Sequence, residues 1–480
     1  MTCTMISRPA PVDLITRFGR SPRGIRKGAT TLKGEPRAAH TARRIVVTTL
    51  GSLGDLHPYV AIALGLQARG HDVAVATGEC YGRKIKALGL GFAAVRPNCD
   101  WVADAEVMRR IMQPQRGLER IMREVLLPVL RQTYEDTLAA AEGADLLVAM
   151  QSNLASPLVA EKKGIPWVSA MHLPIGLASG YDPPVLPGFA VLSKTLRFLG
   201  PAFWVPLRRF LTWATNFWAK PWYRLREEIG LPPSATANPL TEGQAPLLHL
   251  ALFSPRIMDK QPDWPPQTVV TGFPWYDRHG EGKLPAELAQ FLDEGAPPLV
   301  FTLGTAIAED AGAAGFFAAS AAAAKLLGRR AVLILNAPRN RPPVLPAGVL
   351  AVDYAPFSEL FPRAAVIVHH GGIGTTGLAM RSGRPMLVMP CAWDQPDNAE
   401  RAARLGIART ISRRRYTPAR VTAELHRLLN DPRYTQRASM VGAQVRQEDG
   451  ARVACDALSG LLTTAGSAWR VADGGTSRRT

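Results

Sequence analysis

The absences in this sequence exclude a good deal. Cysteine is scarce: five residues (Cys3, Cys80, Cys99, Cys391 and Cys455) with no CxxC pair. That excludes a disulfide-built scaffold, suggests no metal site, and leaves reduced thiols of a cytoplasmic protein as the expectation. Long apolar runs are missing too. The longest charge-free apolar stretch, residues 164–181, contains Pro166, His172 and Pro174, and reads as a strand followed by a loop rather than a bilayer-crossing helix. No apolar segment follows Met1, so no secretory signal is expected. There is no G-x-x-x-x-G-K-[ST] order, which excludes a P-loop nucleotide hydrolase, and no Asp-x-Asp pair. Zinc-finger spacing, an RRM-type aromatic signature and a basic helix leading into heptads are all lacking, so no nucleic-acid partner is expected.

What is present is globular. Apolar residues make up 47% of the 480 positions and charged ones 20%, enough for two hydrophobic cores. The net charge of +18 is unevenly placed: residues 1–44 hold ten Lys/Arg against two Asp/Glu, leaving +10 for the rest. With no apolar period, residues 1–43 are expected to be a disordered basic arm.

From residue 44 a strand–glycine loop–helix–strand rhythm begins. Strands are expected at 45–50, 73–76, 91–95, 145–150 and 167–171, with helices at 58–68, 116–142 and 155–163. Residues 183–230 interrupt it with four of the ten tryptophans, Trp204, Trp213, Trp218 and Trp222, among many Lys and Arg. Strands return at 247–252 and 268–271, and a Pro/Gly-rich linker follows over 272–298. A second alternation has strands at 299–303, 332–335, 349–352, 365–369 and 386–389, with an Ala-rich helix at 313–327. The predicted fold is α/β, with two Rossmann-like doubly wound parallel-sheet domains, 44–271 and 299–465, facing a cleft, and a disordered tail over 466–480. Ligands of such sheets sit outside the carboxyl ends of the strands.

The densest motif is Val366-Ile367-Val368-His369-His370-Gly371-Gly372-Ile373-Gly374-Thr375-Thr376. A strand ends at a histidine pair, and glycines lead into a helix whose first amides offer unpaired donors at its positive dipole end. This suits a diphosphate; a tight strand-to-helix turn capped by Thr375 or Thr376 is the alternative. Downstream, Asp394, Gln395, Asp397 and Asn398 follow the strand at 386–389. A carboxylate beside a carboxamide can hold vicinal hydroxyls, whereas an Asx turn capping a helix from Asn398 would use Asp397 more naturally than Asp394.

These residues, with Gly383-Arg384-Pro385, resemble the nucleotide-sugar-binding half of GT-B fold glycosyltransferases of the UDP-glycosyltransferase superfamily, closest to the bacterial natural-product and sterol branch. Gly51-Ser52-Leu53-Gly54-Asp55, Pro58 and Ala68-Arg69-Gly70-His71 resemble the N-terminal signature of the same family, and Thr271-Gly272-Phe273-Pro274 with Phe301-Thr302-Leu303-Gly304-Thr305 fall where its second domain begins.

The resemblance implies roles. His370, Gly371, Gly372, Gly374 and Thr375 would form the donor-diphosphate loop, with Thr305 reaching the outer phosphate. Tyr354 would lie against the base, backbone atoms at Phe357 would pair with it, and Asp394 and Gln395 would contact sugar hydroxyls. Plant-type members carry a glutamate eight residues after the motif histidine; here Leu378 stands there, so ribose recognition is expected elsewhere and UDP is not separated from TDP. Asp55 falls at the position of the base, in the loop with Gly51, Ser52 and Gly54, and His57 is two residues off. An acidic residue near a helix start is also a common dipole partner, so both roles stand for Asp55.

The implied activity is inverting transfer of a hexose from a nucleoside-diphosphate sugar, as co-substrate, to a hydroxyl of a small hydrophobic or lipid-like acceptor. Neither metal nor any other cofactor is expected. A non-catalytic partner protein of the same fold, or a nucleotide-sugar epimerase, are the alternatives. Acceptor loops are expected around 98–130 and 172–222. The Trp-rich basic segment 193–226 suits either peripheral contact with the inner membrane surface or helices roofing the acceptor pocket.

Overall fold

Runs such as Arg44–Thr48 (RIVVT) and Leu146–Met150 (LLVAM) lack polar alternation because both faces of their sheets are covered by helices. The structure is a computed structural model describing residues 42–98, 101, 104–234, 238–240, 246–276, 283–304 and 312–473. The first sheet contains β1 (Arg44–Thr48), β2 (Asp72–Thr77), β3 (Gly91–Ala94), β4 (Leu146–Met150), β5 (Trp167–Met171), β6 (Leu248–Ala251) and β7 (Thr268–Val270). Their order is β3-β2-β1-β4-β5-β6-β7. The second contains β8 (Leu299–Thr302), β9 (Ala331–Ile334), β10 (Val349–Val352), β11 (Val366–His369), β12 (Met386–Val388) and β13 (Ala408–Thr410), ordered β10-β9-β8-β11-β12-β13. Every pairing is parallel. Strand order reverses at β1/β4 in one sheet and at β8/β11 in the other, and these switch points are where a doubly wound sheet opens a crevice.

Six helices matter below: α1 (Leu53–Gln67), α2 (Gly200–Thr215), α3 (Ala286–Asp293), α4 (Ile373–Ser382), α5 (Gln395–Arg404) and α6 (Gly450–Asp473). Helix α1 starts five residues before the Pro58 expected to open it, because Ser52 and Asp55 satisfy its first turn. The single helix expected over 116–142 is broken into Gly117–Arg120, a wide turn at Ile121–Leu126, a tight one at Leu127–Val129 and a regular helix at Leu130–Ala140. Pro128 has no N–H with which to continue the ladder.

Other boundaries also need correction. The linker contains α3, whose Leu288 and Leu292 are buried in the second domain's core. Helix α6 continues to Asp473, beyond the expected limit at 465, and packs Ala454, Cys455 and Leu458 into the first domain's core beside α1. Arg43 is already tied to Asp145, so order starts before residue 44, and the rest of the expected arm lies outside the described residues. Cys391 and Cys455 are not in disulfides, but Cys80 is disulfide-bonded, correcting the reduced reading at that exposed turn residue.

In the Trp-rich segment, Trp204 and Trp222 are core residues donating to the Leu196 and Leu154 carbonyls, whereas Trp213 on α2 is 72% exposed.

Candidate functional site

Asp55 lies in the first turn of α1, directly beyond β1. Its Oδ2 accepts from the Ser52 amide at 2.7 Å and from the Ser52 hydroxyl at 2.8 Å. Gly51, at φ +127°, makes room for this fold-back, since a Cβ there would stand 2.5 Å from the same oxygen. The other oxygen, Oδ1, lies 2.9 Å from Nε2 of His172, the residue following β5. Burial raises the Asp55 carboxyl pKa, but bonding to His172, its field and the Ser52 donors outweigh that, leaving the group below its usual range. The capping and dyad roles are therefore divided between two oxygens of one carboxylate. Gly54 sits exposed on the same turn. His57 packs its ring against Tyr276, with 5.1 Å between centroids.

His172 was missed as a site residue in the sequence. Its signal was a lone histidine at a strand's carboxyl end, but its partner is 117 positions away.

In the second domain, the histidine pair splits as strand alternation requires. His369 is fully buried, its Nδ1 accepting from the Gly371 amide at 3.0 Å and its Nε2 lying 3.4 Å from Met386 Sδ. It pins the glycine turn from below. His370 lies between the two switch-point strands: a Cβ on Gly304 after β8, or on Gly372, would come within 2.5 Å of its ring. Burial lowers the His370 pKa to about 4, and burial with the neighbouring ring lowers that of His369 to about 3. Both are neutral at physiological pH, so His370 offers a hydrogen bond rather than a cation.

Helix α4 is capped by Gly372, not by a threonine. Thr376 is buried and returns its hydroxyl to the Gly372 carbonyl at 3.0 Å, while Gly374 is exposed and Thr375 half-buried beside it. Thr305 lies outside the described residues. Tyr354, 40% exposed, follows β10, and Phe357 stacks on Phe361 with ring centroids 4.5 Å apart.

Helix α5 begins at Gln395 with Asp394 at its N-cap position, so no helix starts at Asn398 for Asp397 to cap. Asp397 is instead a buried ion-pair partner of Arg401 at 2.7 Å and accepts from the Val185 amide of the first domain at 2.9 Å. Gln395 Oε1 accepts from the Cys391 and Ala392 amides at 2.8 and 3.1 Å, holding the loop after β12. Asn398 Nδ2 donates to Asp394 Oδ2 at 2.6 Å and to the Gly371 carbonyl at 2.9 Å, tying the glycine loop to the carboxylate. Burial raises the Asp394 pKa to about 6, opposed by Asn398 and His172 and reinforced by Asp55. Asp394 is thus within electrostatic reach of the dyad from the other domain. Trp393 Nε1 donates to the Ile111 carbonyl at 2.9 Å, a further contact across the cleft, and its φ of +51° is a strained value for a bulky side chain.

Comparison with known proteins identifies the family. Residues 45–178 match the glycosyltransferase family 28 N-terminal domain, and residues 328–455 match the C-terminal domain of erythromycin biosynthesis protein CIII-like proteins. The chain is 32% identical to O-mycaminosyltylonolide 6-deoxyallosyltransferase of Streptomyces fradiae, over 86% of this chain and 96% of that one. It is 27% identical to sterol 3-beta-glucosyltransferase of Candida albicans over 87% of this chain, but spans only 28% of that longer protein. Among solved structures, the glycosyltransferase SsfS6 of Streptomyces sp. SF2575 complexed with thymidine diphosphate superposes with a TM-score of 0.57 at 23% identity, over 86% of this chain and 98% of that one. With two parallel-sheet domains and relatives matched over most of its length, the chain belongs to the GT-B fold UDP-glycosyltransferase family and is a glycosyltransferase acting on a sugar donor.

Proposed function

We propose that the protein transfers a hexose, with inversion, from a UDP- or TDP-linked donor to a hydroxyl of a small hydrophobic acceptor. The observation that carries this reading is the Asp55–His172 pair set across the cleft from Asp394 and the glycine loop. The donor diphosphate lies over Gly371, Gly372, Gly374 and Thr375, with His370 donating a hydrogen bond and the α4 amides supplying positive potential, and Thr305 is assigned to the outer phosphate by the family resemblance alone. Tyr354 and Phe357 flank the base, and Asp394 with the Gln395 amide nitrogen meets sugar hydroxyls.

The acceptor oxygen gives its proton to the Asp55 carboxylate and forms a bond to the anomeric carbon. The bond from that carbon to the diphosphate oxygen breaks, and the diphosphate leaves with the electron pair. One displacement inverts the configuration. His172 bonds Asp55, its ring packed edge-on against Tyr59 with 6.0 Å between centroids, and acts as a positioning residue. A thymidine diphosphate complex of a similar fold, together with macrolide and sterol relatives, supports a nucleotide-sugar donor and an apolar acceptor.

Thermal stabilisation by a panel of UDP- and TDP-sugars, followed by product mass and anomeric configuration by NMR, tests the reading. Retention of configuration, or stabilisation by no nucleotide sugar, refutes it.

A peripheral membrane position is proposed on a separate observation. Phe189, Val191, Phe198, Phe210, Trp213 and Phe217 are each more than half exposed along one stretch that includes α2. Among the described residues no helix is long and apolar enough to cross a membrane, so insertion would be interfacial. Absence of co-sedimentation with anionic liposomes at low salt rules it out.

A further inference from the structure

The turn leaving β4, Gln151-Ser152-Asn153, occupies a place that no role above uses. Strand β4 lies between β1 and β5, and neighbouring strands are about 4.8 Å apart. The 2.9 Å contact from Asp55 beyond β1 to His172 beyond β5 therefore arches over the carboxyl end of β4, where this turn emerges at the first sheet's switch point. The turn's own backbone is well satisfied. Gln151 N donates to the Ala170 carbonyl at 3.2 Å, Asn153 N to Met150 at 2.9 Å, and Leu154 N to Ser152 at 3.0 Å.

Its side chains are not. Gln151 Oε1, Ser152 Oγ and Asn153 Nδ2 are all buried with no hydrogen-bond partner among the described residues, and His172 Nδ1 beside them is in the same condition. Asn153 is 1% exposed and His172 2%. Asn153 Oδ1 accepts from the Ala155 amide at 3.2 Å. Buried polar atoms are nearly always bonded, and each one left alone is costly. Three consecutive residues that leave such atoms beneath a proton-accepting pair, while the amides of Gln151, Asn153 and Leu154 are bonded, point to a recognition surface rather than a packing fault.

Resting on the transferase reading above, we propose that Gln151, Ser152 and Asn153 are the polar floor of the acceptor site. The acceptor is accordingly an oxygenated molecule carrying a second hydroxyl or carbonyl close to the hydroxyl that reacts, not a hydrocarbon with one isolated hydroxyl. Gln151 Oε1 accepts from a hydroxyl, Asn153 Nδ2 donates to a carbonyl or hydroxyl, and Ser152 does either. A site built to bond such a group discriminates strongly against an analogue that lacks it, because its own polar atoms then stay unpaired.

The test uses the full chain, with UDP-glucose and TDP-glucose as donors and water, erythronolide B, daunomycinone, quercetin and cholesterol as acceptors. Wild type is expected to glycosylate at least one of the three oxygenated probes with kcat/KM at least about 100-fold above cholesterol. Gln151→Met and Ser152→Ala are each expected to lower that kcat/KM about 10- to 100-fold, mostly through KM. Donor hydrolysis by water and the melting temperature should be unchanged or, for the latter, raised. A fall in melting temperature that accounts for the lost activity would assign the turn a structural role and overturn the proposal. Cholesterol used as well as the oxygenated probes, no oxygenated probe used despite donor hydrolysis, or unaffected variants would overturn it alone. Failure of wild type to bind or hydrolyse either donor would remove the donor reading and this proposal with it.

Discussion

Asp55 Oδ1 and His172 Nε2 lie 2.9 Å apart, joining the loop after β1 to the end of β5. The other Asp55 oxygen stays on Ser52, so a single substitution separates the two uses. Asp55→Asn keeps the shape and can still cap α1, but it cannot take a proton. Single-turnover transfer should fall by about 10²–10⁴-fold, with nucleotide-sugar affinity nearly unchanged. Asp55→Ala should add a stability loss of about 1 kcal/mol, seen in urea unfolding. Wild-type transfer by the Asn variant would leave Asp55 only its capping role.

The histidine pair should separate in a different way. His370→Ala removes a neutral donor from the proposed diphosphate site, so donor affinity and transfer should both drop, by about 10- to 100-fold in transfer. His369→Ala leaves the buried Gly371 amide without its acceptor and should cost about 1–3 kcal/mol of stability. Folded His369→Ala should bind donor much better than His370→Ala does. The reverse pattern in calorimetry and unfolding would mean the diphosphate meets the other imidazole.

The strands were legible because a two-sided buried sheet writes continuous apolar runs; those expected at 167–171 and 349–352 coincide with Trp167–Met171 and Val349–Val352. Helix starts were less so, since α1 begins on a side-chain bond between Ser52 and Asp55 that periodicity does not record. The glycine loop could be read from spacing alone. What sequence could not supply was any link between distant positions. His172 as partner of Asp55, Asp397 bound to Arg401 and the first domain's Val185, and α6 crossing back to α1 all depend on the three-dimensional arrangement of the chain.

Asp394 gives a pH signature. Its pKa in the fold is about 6, above the ordinary aspartate value, because burial disfavours the carboxylate. Between the unfolded and folded values the native state holds more protons, so this group makes stability fall as pH rises from about 4 to about 6. In its proposed role the ionised form is the stronger acceptor for sugar hydroxyls. Affinity for a nucleotide sugar should therefore weaken as pH drops below about 6, while affinity for the bare nucleoside diphosphate shows no such step from this group. Asp394→Asn should abolish the step in titration calorimetry and flatten the stability slope. A step that persists in the Asn variant assigns it to another group.

The final prediction concerns how α5, which carries Gln395 and follows Asp394, is held. Arg401 is 1% exposed and Asp397 fully buried, paired at 2.7 Å. Arg401 also bonds Asp182 of the first domain, which in turn binds Arg197 and Arg404, the latter at 3.0 Å. Replacing one member of a buried pair strands the other's charge, which typically costs about 3–5 kcal/mol. Arg401→Met should destabilise by that order, whereas the double replacement Asp397→Asn with Arg401→Met should recover part of the loss because no isolated carboxylate remains. Asp182→Asn leaves the Asp397 pair intact but loosens the link between domains. It should lower transfer through a raised donor KM, with less effect on melting temperature than Arg401→Met. Additive losses in the double variant, measured by urea unfolding, would show that the two charges do not depend on each other and that α5 is held by its apolar face alone.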